Sequence, residues 1–228
     1  MVAARREAFL VHVDEAWDET AHLRGVRLRA PQALSDRYQR PGQFLEVEGG
    51  RMRSFFALAA APGGPTLEIL VRRGSQVADL VAALQPGVGA ELRVLDILGR
   101  GFPLEEQEGR DLILVAAGSG IAPLRATVQL VLRHRERFGQ VVLYYGQRQA
   151  AEFAYAREFP LWNQGGISVI PVASSRGLYV QDHLARSPPP FIGAQTAAFL
   201  CGMRGMMDAA TQVLIRHGVP EDRIFENH

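Results

Sequence analysis

The sequence predicts two domains of different class. Residues 1–106 read as an antiparallel β-barrel or sandwich, and residues 107–228 as an α/β domain with a mostly parallel sheet. Three observations predict this. Residues 7–105 read as short strands broken by glycine- and proline-rich turns. Beyond residue 111, strand-length apolar runs alternate with segments of helical period. A polar, charged connector, LEEQEGRD at 104–111, lies between the two rhythms.

The N-terminal strands are AFLVHVDEAW, HLRGVRLRA, GQFLEVEG, RSFFALAAA, TLEILVRR and AELRVLDIL, separated by turn signals such as RPGQ, APGGP and QPGVG. Only QVADLVAAL, 76–84, departs from the pattern and fits a short helix. In the second half DLILVAA is a buried strand. APLRATVQLVLRHRERF is a helix with Leu124, Val128 and Val131 on its inner face. QVVLYYG is a strand, AEFAYAREFPLW a helix, GISVIPVA a strand and YVQDHLAR a short helix. TAAFLCG is a strand, GMMDAATQVLIRHG a helix, and DRIFENH a last short strand. That order implies helices on both faces of the sheet. Ligands of such sheets sit beyond the carboxyl ends of the strands. The turns GSGIAP, YGQR and CGMRGMM all follow strands and should share that edge.

Composition narrows the chemistry. With 25 basic and 24 acidic residues, the net charge of +1 gives no basis for binding nucleic acid or an anionic membrane. All the basic residues are arginine, so a lysine P-loop, Schiff-base chemistry and a pyridoxal-phosphate site are excluded. One cysteine, Cys201, excludes an internal disulfide and a cysteine-held iron–sulfur cluster. The N-terminal segment does not read as a signal peptide, and the longest apolar stretch, LILVAAGSGIAPL, is too short to span a bilayer. A cytoplasmic protein without membrane insertion is expected. Oligomeric state is not legible.

GSGIAP follows a strand and opens a helix. Gly118 and Gly120 permit a sharp turn and close approach of a pyrophosphate, and Pro123 suits the first helical turn. The same pattern also reads as an ordinary strand–helix turn. A Rossmann dinucleotide fingerprint would add an acid at the end of the second strand. That strand ends in YYGQR, without one.

GSGIAPL, then YYGQR, then CGMRGMM, in this order behind a barrel-like half, resembles the ferredoxin–NADP reductase family. The resemblance implies a six-stranded antiparallel Greek-key barrel that binds FAD, and an α/β domain that binds NAD(P)H. It implies a flavoprotein reductase that passes a hydride from NAD(P)H to FAD and electrons onward to an unidentified acceptor, such as a small redox protein. No metal is expected. Gly118, Ser119, Gly120 and Pro123 would cradle the nucleotide pyrophosphate, and Gly146 and Arg148 would lie beside the nucleotide. Cys201, Gly202 and Met206 would line the nicotinamide pocket, with Cys201 packing there as a catalytic-site residue and not attacking as a nucleophile. Ser174, Ser175 and Arg176 suit a 2′-phosphate or, equally, a solvated turn.

In the barrel half, relatives carry Arg-x-Tyr-Ser/Thr before a small-residue run and a proline, and this chain has RSFFALAAAP. Counting back from Pro62, Ser54 takes the arginine place, Phe56 the tyrosine place and Ala57 the hydroxyl place, with Arg53 one position off. Phe56 would pack on the flavin. If that register is wrong, Arg53 and Phe55 are the candidates. RRGSQVADLV resembles a phosphate turn, with Gly74 and Ser75 meeting the flavin pyrophosphate and Arg72 or Arg73 nearby. At the C-terminus, Glu226 takes the place of a catalytic acid and His228 that of a flavin-shielding aromatic. Two other readings stay open: an electron-transfer subunit of a larger complex, and a flavin-poor binding or regulatory module.

Overall fold

The computed structural model describes residues 7–87 and 89–227, apart from the Arg176 side chain. His228, Val88 and the first six residues of the N-terminal stretch lie outside the described residues.

Strands β1 (Phe9–Asp18), β2 (Leu23–Arg29), β3 (Phe44–Gly49), β4 (Met52–Ala57), β5 (Leu67–Arg72) and β6 (Glu91–Leu98) form one antiparallel sheet in the order β4-β3-β6-β1-β2-β5. The sheet curls until its edges meet at a single bridge, Leu58–Ile69, reinforced by the Ala59 amide donating to the Glu68 carbonyl at 2.7 Å. Each strand puts alternate residues inside, so Val26, Leu28, Leu45, Val47, Ile69 and Val94 build an apolar core. The expected helix at 76–84 is α2 (Gln76–Ala83), capped by Ser75, whose Oγ accepts from the Ala78 amide. A one-turn helix, α1 (Gln32–Ser35), was not legible in the sequence.

The second sheet is parallel throughout. It comprises β7 (Asp111–Ala117), β8 (Val141–Gln147), β9 (Ile167–Ala173), β10 (Thr196–Cys201) and β11 (Ile224–Asn227), in the order β11-β10-β7-β8-β9. Helices α3 (Ile121–Arg133) and α4 (Phe159–Gln164) cover one face, while α5 (Val180–Arg186) and α6 (Arg204–Arg216) cover the other. The edge strands are β11, four residues long, and β9, which carries Pro171 opposite Tyr145.

The helix expected over 151–162 is a correction. Residues 150–158 form two short 3-10 turns, and α4 begins only at Phe159, with Pro160 in its first turn. Tyr155 has φ +60°, which no helix continues through. Its buried ring packs on Arg125, and its amide donates to Glu19, in the turn after β1, at 2.8 Å. These tertiary contacts override the local helical pattern.

The two halves share one core. Leu23, Ala59, Leu70 and Phe102 join Leu124, Tyr155 and Phe199 in a single buried cluster on the α3 face of the parallel sheet. Among the described residues no helix is long and apolar enough to cross a membrane.

Candidate functional site

Chain order reverses between β7 and β10. From β7 the chain moves outward to β8 and β9, then returns to β10 on the other side. Such a switch point opens a crevice beyond the strand ends. Here those ends are Ala117–Gly118 and Cys201–Gly202.

The two glycines of the first turn do different things. Gly118 has φ +59°, and nothing lies within 4 Å of where its Cβ would be, so this position faces open space. Gly120 is buried, and a Cβ there would sit 2.2 Å from the Cys201 carbonyl oxygen. The Gly120 position is therefore dictated by backbone packing between the turns and not, as expected, by room for a phosphate. The turn is tied from below by Tyr145, whose hydroxyl donates to the Gly118 carbonyl at 3.2 Å and accepts from Gln147 Nε2 at 2.7 Å and the Ala154 amide at 3.3 Å. Burial pushes the Tyr145 pKa well above its usual range, so the hydroxyl remains a proton donor. Ser119 is half-buried beside Gly118, Pro123 is buried in the first turn of α3, and α3 has no side-chain cap.

Gly146 is buried, and its missing side chain makes room for Val180 of α5. Arg148 is exposed, and its carbonyl accepts the Ser175 amide at 2.9 Å, which pins the turn Ser174–Arg176 to the end of β8. The Arg176 side chain lies outside the described residues.

Cys201 is half-buried and packs on the same cluster as Ala57 and Phe225. Burial pushes its thiol up to about 12, so the neutral form holds near neutrality. The folded protein should therefore resist iodoacetamide at about pH 8, and unfolding in urea should restore the reaction. Comparable alkylation of the folded protein would contradict the buried thiol.

Three placements correct the sequence reading. Met206 is 5% exposed beneath Gly202 and belongs to the α6-side core, whereas Met203, 66% exposed, is the open methionine of that turn. Glu226 pairs in register with Leu200, on the α6 face, and accepts a hydrogen bond from Thr211 at 2.8 Å. Cys201 and Glu226 thus occupy opposite faces of the sheet and are not brought together. The residue that shares the Phe199 face is Phe225, stacked on Phe199 with centroids 5.3 Å apart.

The third correction concerns β4. Phe56 is 7% exposed and pairs with Leu45 inside the first core, with Ser54 on the same side opposite Val47. A ring so enclosed has no face to offer a ligand. The exposed ring is Phe55, 59% accessible and edge-on to Phe44 at 5.5 Å. Arg53, Phe55 and Ala57 alternate along the outer face, and Ala57 packs against the core shared by both halves. The outward residues are therefore Arg53 and Phe55, the alternative pair to the register counted back from Pro62. Arg53 Nη1 donates to Glu46 Oε1 at 2.8 Å.

At α2, Arg72, Arg73, Gly74 and Ser75 are all exposed. The Gly74 amide donates to Asp79 at 2.9 Å, and Arg73 pairs with Asp18 at 2.9 Å.

Residues 114–212 match the oxidoreductase NAD-binding domain family. The chain is 25% identical to sulfhydrogenase 1 subunit gamma of Pyrococcus furiosus, over 91% of this chain and 74% of that one. It is 29% identical to the ferredoxin reductase component of 3-ketosteroid-9-alpha-monooxygenase from Mycolicibacterium smegmatis, over 94% of this chain and 63% of that one. In fold it is similar to a ferredoxin NADP+ reductase from Neisseria gonorrhoeae solved with bound FAD and NADP. That match has a TM-score of 0.81 at 19% identity and covers 97% and 98% of the two chains.

Proposed function

We infer that this chain, which belongs to the ferredoxin–NADP reductase-like family of oxidoreductases, is an NAD(P)H-dependent flavoprotein reductase. Bound FAD would accept a hydride from NAD(P)H and release electrons to a partner protein. The observation that carries the reading is the crevice at the switch point. Its Gly118 and Cys201 turns open on the side of the parallel sheet that packs against the end of β4.

The residues present fit both groups. Gly118 leaves space for a pyrophosphate to approach the backbone, at the uncapped start of a 13-residue helix. Ser119 lies beside it, and Cys201 and Gly202 form the neighbouring wall for the nicotinamide. Ala57, Phe55 and Arg53 lead outward along β4, which suits the flavin ring, while Arg72, Gly74 and Ser75 suit its phosphates. Buried apolar side chains around Cys201 and Phe225 would exclude water from the reacting face. The turn Ser174–Arg176 would carry the choice between NADH and NADPH. Residues 1–106 and 107–228 are proposed as the flavin and nucleotide domains.

The names of the relatives, a hydrogenase subunit and an oxygenase component, support a partner protein as acceptor and a place in a larger electron-transfer assembly. The Arg53–Glu46 ion pair supports a weaker hold on FAD than an uncommitted arginine would give, which favours the flavin-poor reading to that extent. A cytoplasmic location is proposed from the single cysteine and the need for reduced nicotinamide.

The visible spectrum of the purified protein, with anaerobic addition of NADH or NADPH, tests the function. Flavin bands that bleach on addition are expected. A protein that neither retains nor rebinds flavin would overturn the reading. Phe55→Ala should weaken flavin retention roughly tenfold, about 1.4 kcal/mol, and change stability by less than about 0.5 kcal/mol at this exposed position. Phe56→Ala should instead cost about 3–5 kcal/mol of stability. Flavin titration and urea unfolding of both variants check the register.

A further inference from the structure

Helix α3 is hydrogen-bonded to the segment after β4 group by group. Arg125 Nη1 donates to the Ala59 carbonyl at 2.8 Å, the Ala61 amide donates to Gln129 Oε1 at 2.8 Å, and Arg133 Nη1 donates to the Pro62 carbonyl at 3.2 Å. The three side chains are spaced by four and form one stripe along the helix. Their partners are residues 59, 61 and 62, so the stripe follows one short segment of chain along the helix. The N-terminal half holds the same segment from its own side, through the Ala59 amide on the Glu68 carbonyl and the Tyr38 hydroxyl on the Ala60 carbonyl, both at 2.7 Å.

Both partners lead directly to the crevice. β4 ends at Ala57, two residues before Ala59, and α3 starts from the Gly118–Gly120 turn, which is locked to Cys201 by backbone contact.

We propose that Arg125, Gln129 and Arg133 form a ruler that fixes the register of α3 along residues 59–62. Resting on the functional reading above, the ruler also sets the separation between the nicotinamide turn and the flavin-facing end of β4. They are positioning residues. Hydride transfer needs van der Waals approach, and a misplacement of ~1 Å can cost about a hundredfold in rate.

Gln129 gives the cleanest test, because no buried carboxylate depends on it. Gln129→Met keeps length and apolar packing but removes the acceptor for the Ala61 amide. Gln129→Glu keeps an acceptor oxygen. The first readout needs no cofactor: the distance between spin labels on Leu80→Cys and Leu161→Cys, two exposed sites in opposite halves. A single narrow distance is expected for the parent and for Gln129→Glu, and a broadened or shifted one for Gln129→Met. The second readout is the rate of flavin reduction at saturating NAD(P)H. It should fall about tenfold or more in Gln129→Met and stay within about twofold in Gln129→Glu, with nucleotide affinity held within about twofold in both.

A purely packing role would reverse the order, with Met tolerated and Glu not. An unchanged distance in Gln129→Met overturns the ruler. A changed distance with an unchanged reduction rate overturns its positioning role. A protein without flavin would refute the functional reading instead, and the distance measurement would still decide the ruler.

Discussion

Arg125→Met should destabilise the protein by about 3–5 kcal/mol near neutral pH, the cost of breaking a buried ion pair from one side. Arg125 is 8% exposed on α3 and carries more partners than any side chain around it. It donates to Glu68 Oε1 at 3.0 Å, to both oxygens of Glu158 at 2.8–3.0 Å and to the Ala59 carbonyl, with its guanidinium 4.3 Å from the Tyr155 ring centroid. For a chain of this length the loss corresponds to a fall in Tm of about 6–20 °C. Glu68 sets the pH dependence. It is 3% exposed, and burial raises its carboxyl above the ordinary value, opposed first by Arg125 and then by Arg27. An acid raised in the folded state holds an extra proton there. It favours the fold below its ordinary pKa and loses that contribution as pH climbs through the raised one. Without Arg125 the rise grows, so the deficit of Arg125→Met should be larger at about pH 8 than at about pH 5. Adding Glu68→Gln should recover most of the loss at the higher pH. Urea unfolding across this range checks both statements. A deficit that does not vary with pH would show that Glu68 is not the group left uncompensated.

Gly120→Ala should cost about 3 kcal/mol, at the upper end of overpacking penalties, because the new methyl meets backbone that cannot swing away. Its Cβ would lie 2.2 Å from the Cys201 oxygen and 2.6 Å from the carbonyl carbon. Gly118→Ala makes the contrast. There the added methyl meets nothing, and the left-handed backbone costs only about 1–2 kcal/mol. NAD(P)H affinity should fall in Gly118→Ala while the fold holds. In Gly120→Ala the fold itself should give way. Parallel urea unfolding and nucleotide titration of the two variants separate the roles. A Gly120→Ala protein of parent stability would contradict the packing account.

Much of this architecture was legible from residue order. Six strands, a charged connector and five further strands alternating with helical segments leave periodic, locally encoded patterns, and all eleven observed strands begin within two residues of their expected starts. The crevice was legible too, since glycines after strands mark its edge. What escaped was everything decided by a partner far along the chain. Tyr155 breaks a helical pattern because Glu19 and Arg125 claim it. Gly120 reads as a ligand glycine until Cys201 is seen above it. Phe55 and Phe56 are chemically alike, and only the pairing of β4 with β3 says which points outward. Gln129 has the look of any helix-surface amide until Ala61 is found against it. Glu226 kept its place in sequence, yet strand register turned it to the α6 face.

Pro171 in β9 bears on how the molecule survives at high concentration. A parallel sheet exposes its outermost backbone, which invites another chain to add on and propagate aggregation. At Pro171 an incoming strand finds no N–H to accept, so the ladder cannot extend past it. On the opposite border β11 is short among the described residues, Ile224–Asn227, which limits what it can template. Replacing Pro171 would leave the interior untouched and still make the protein prone to self-association.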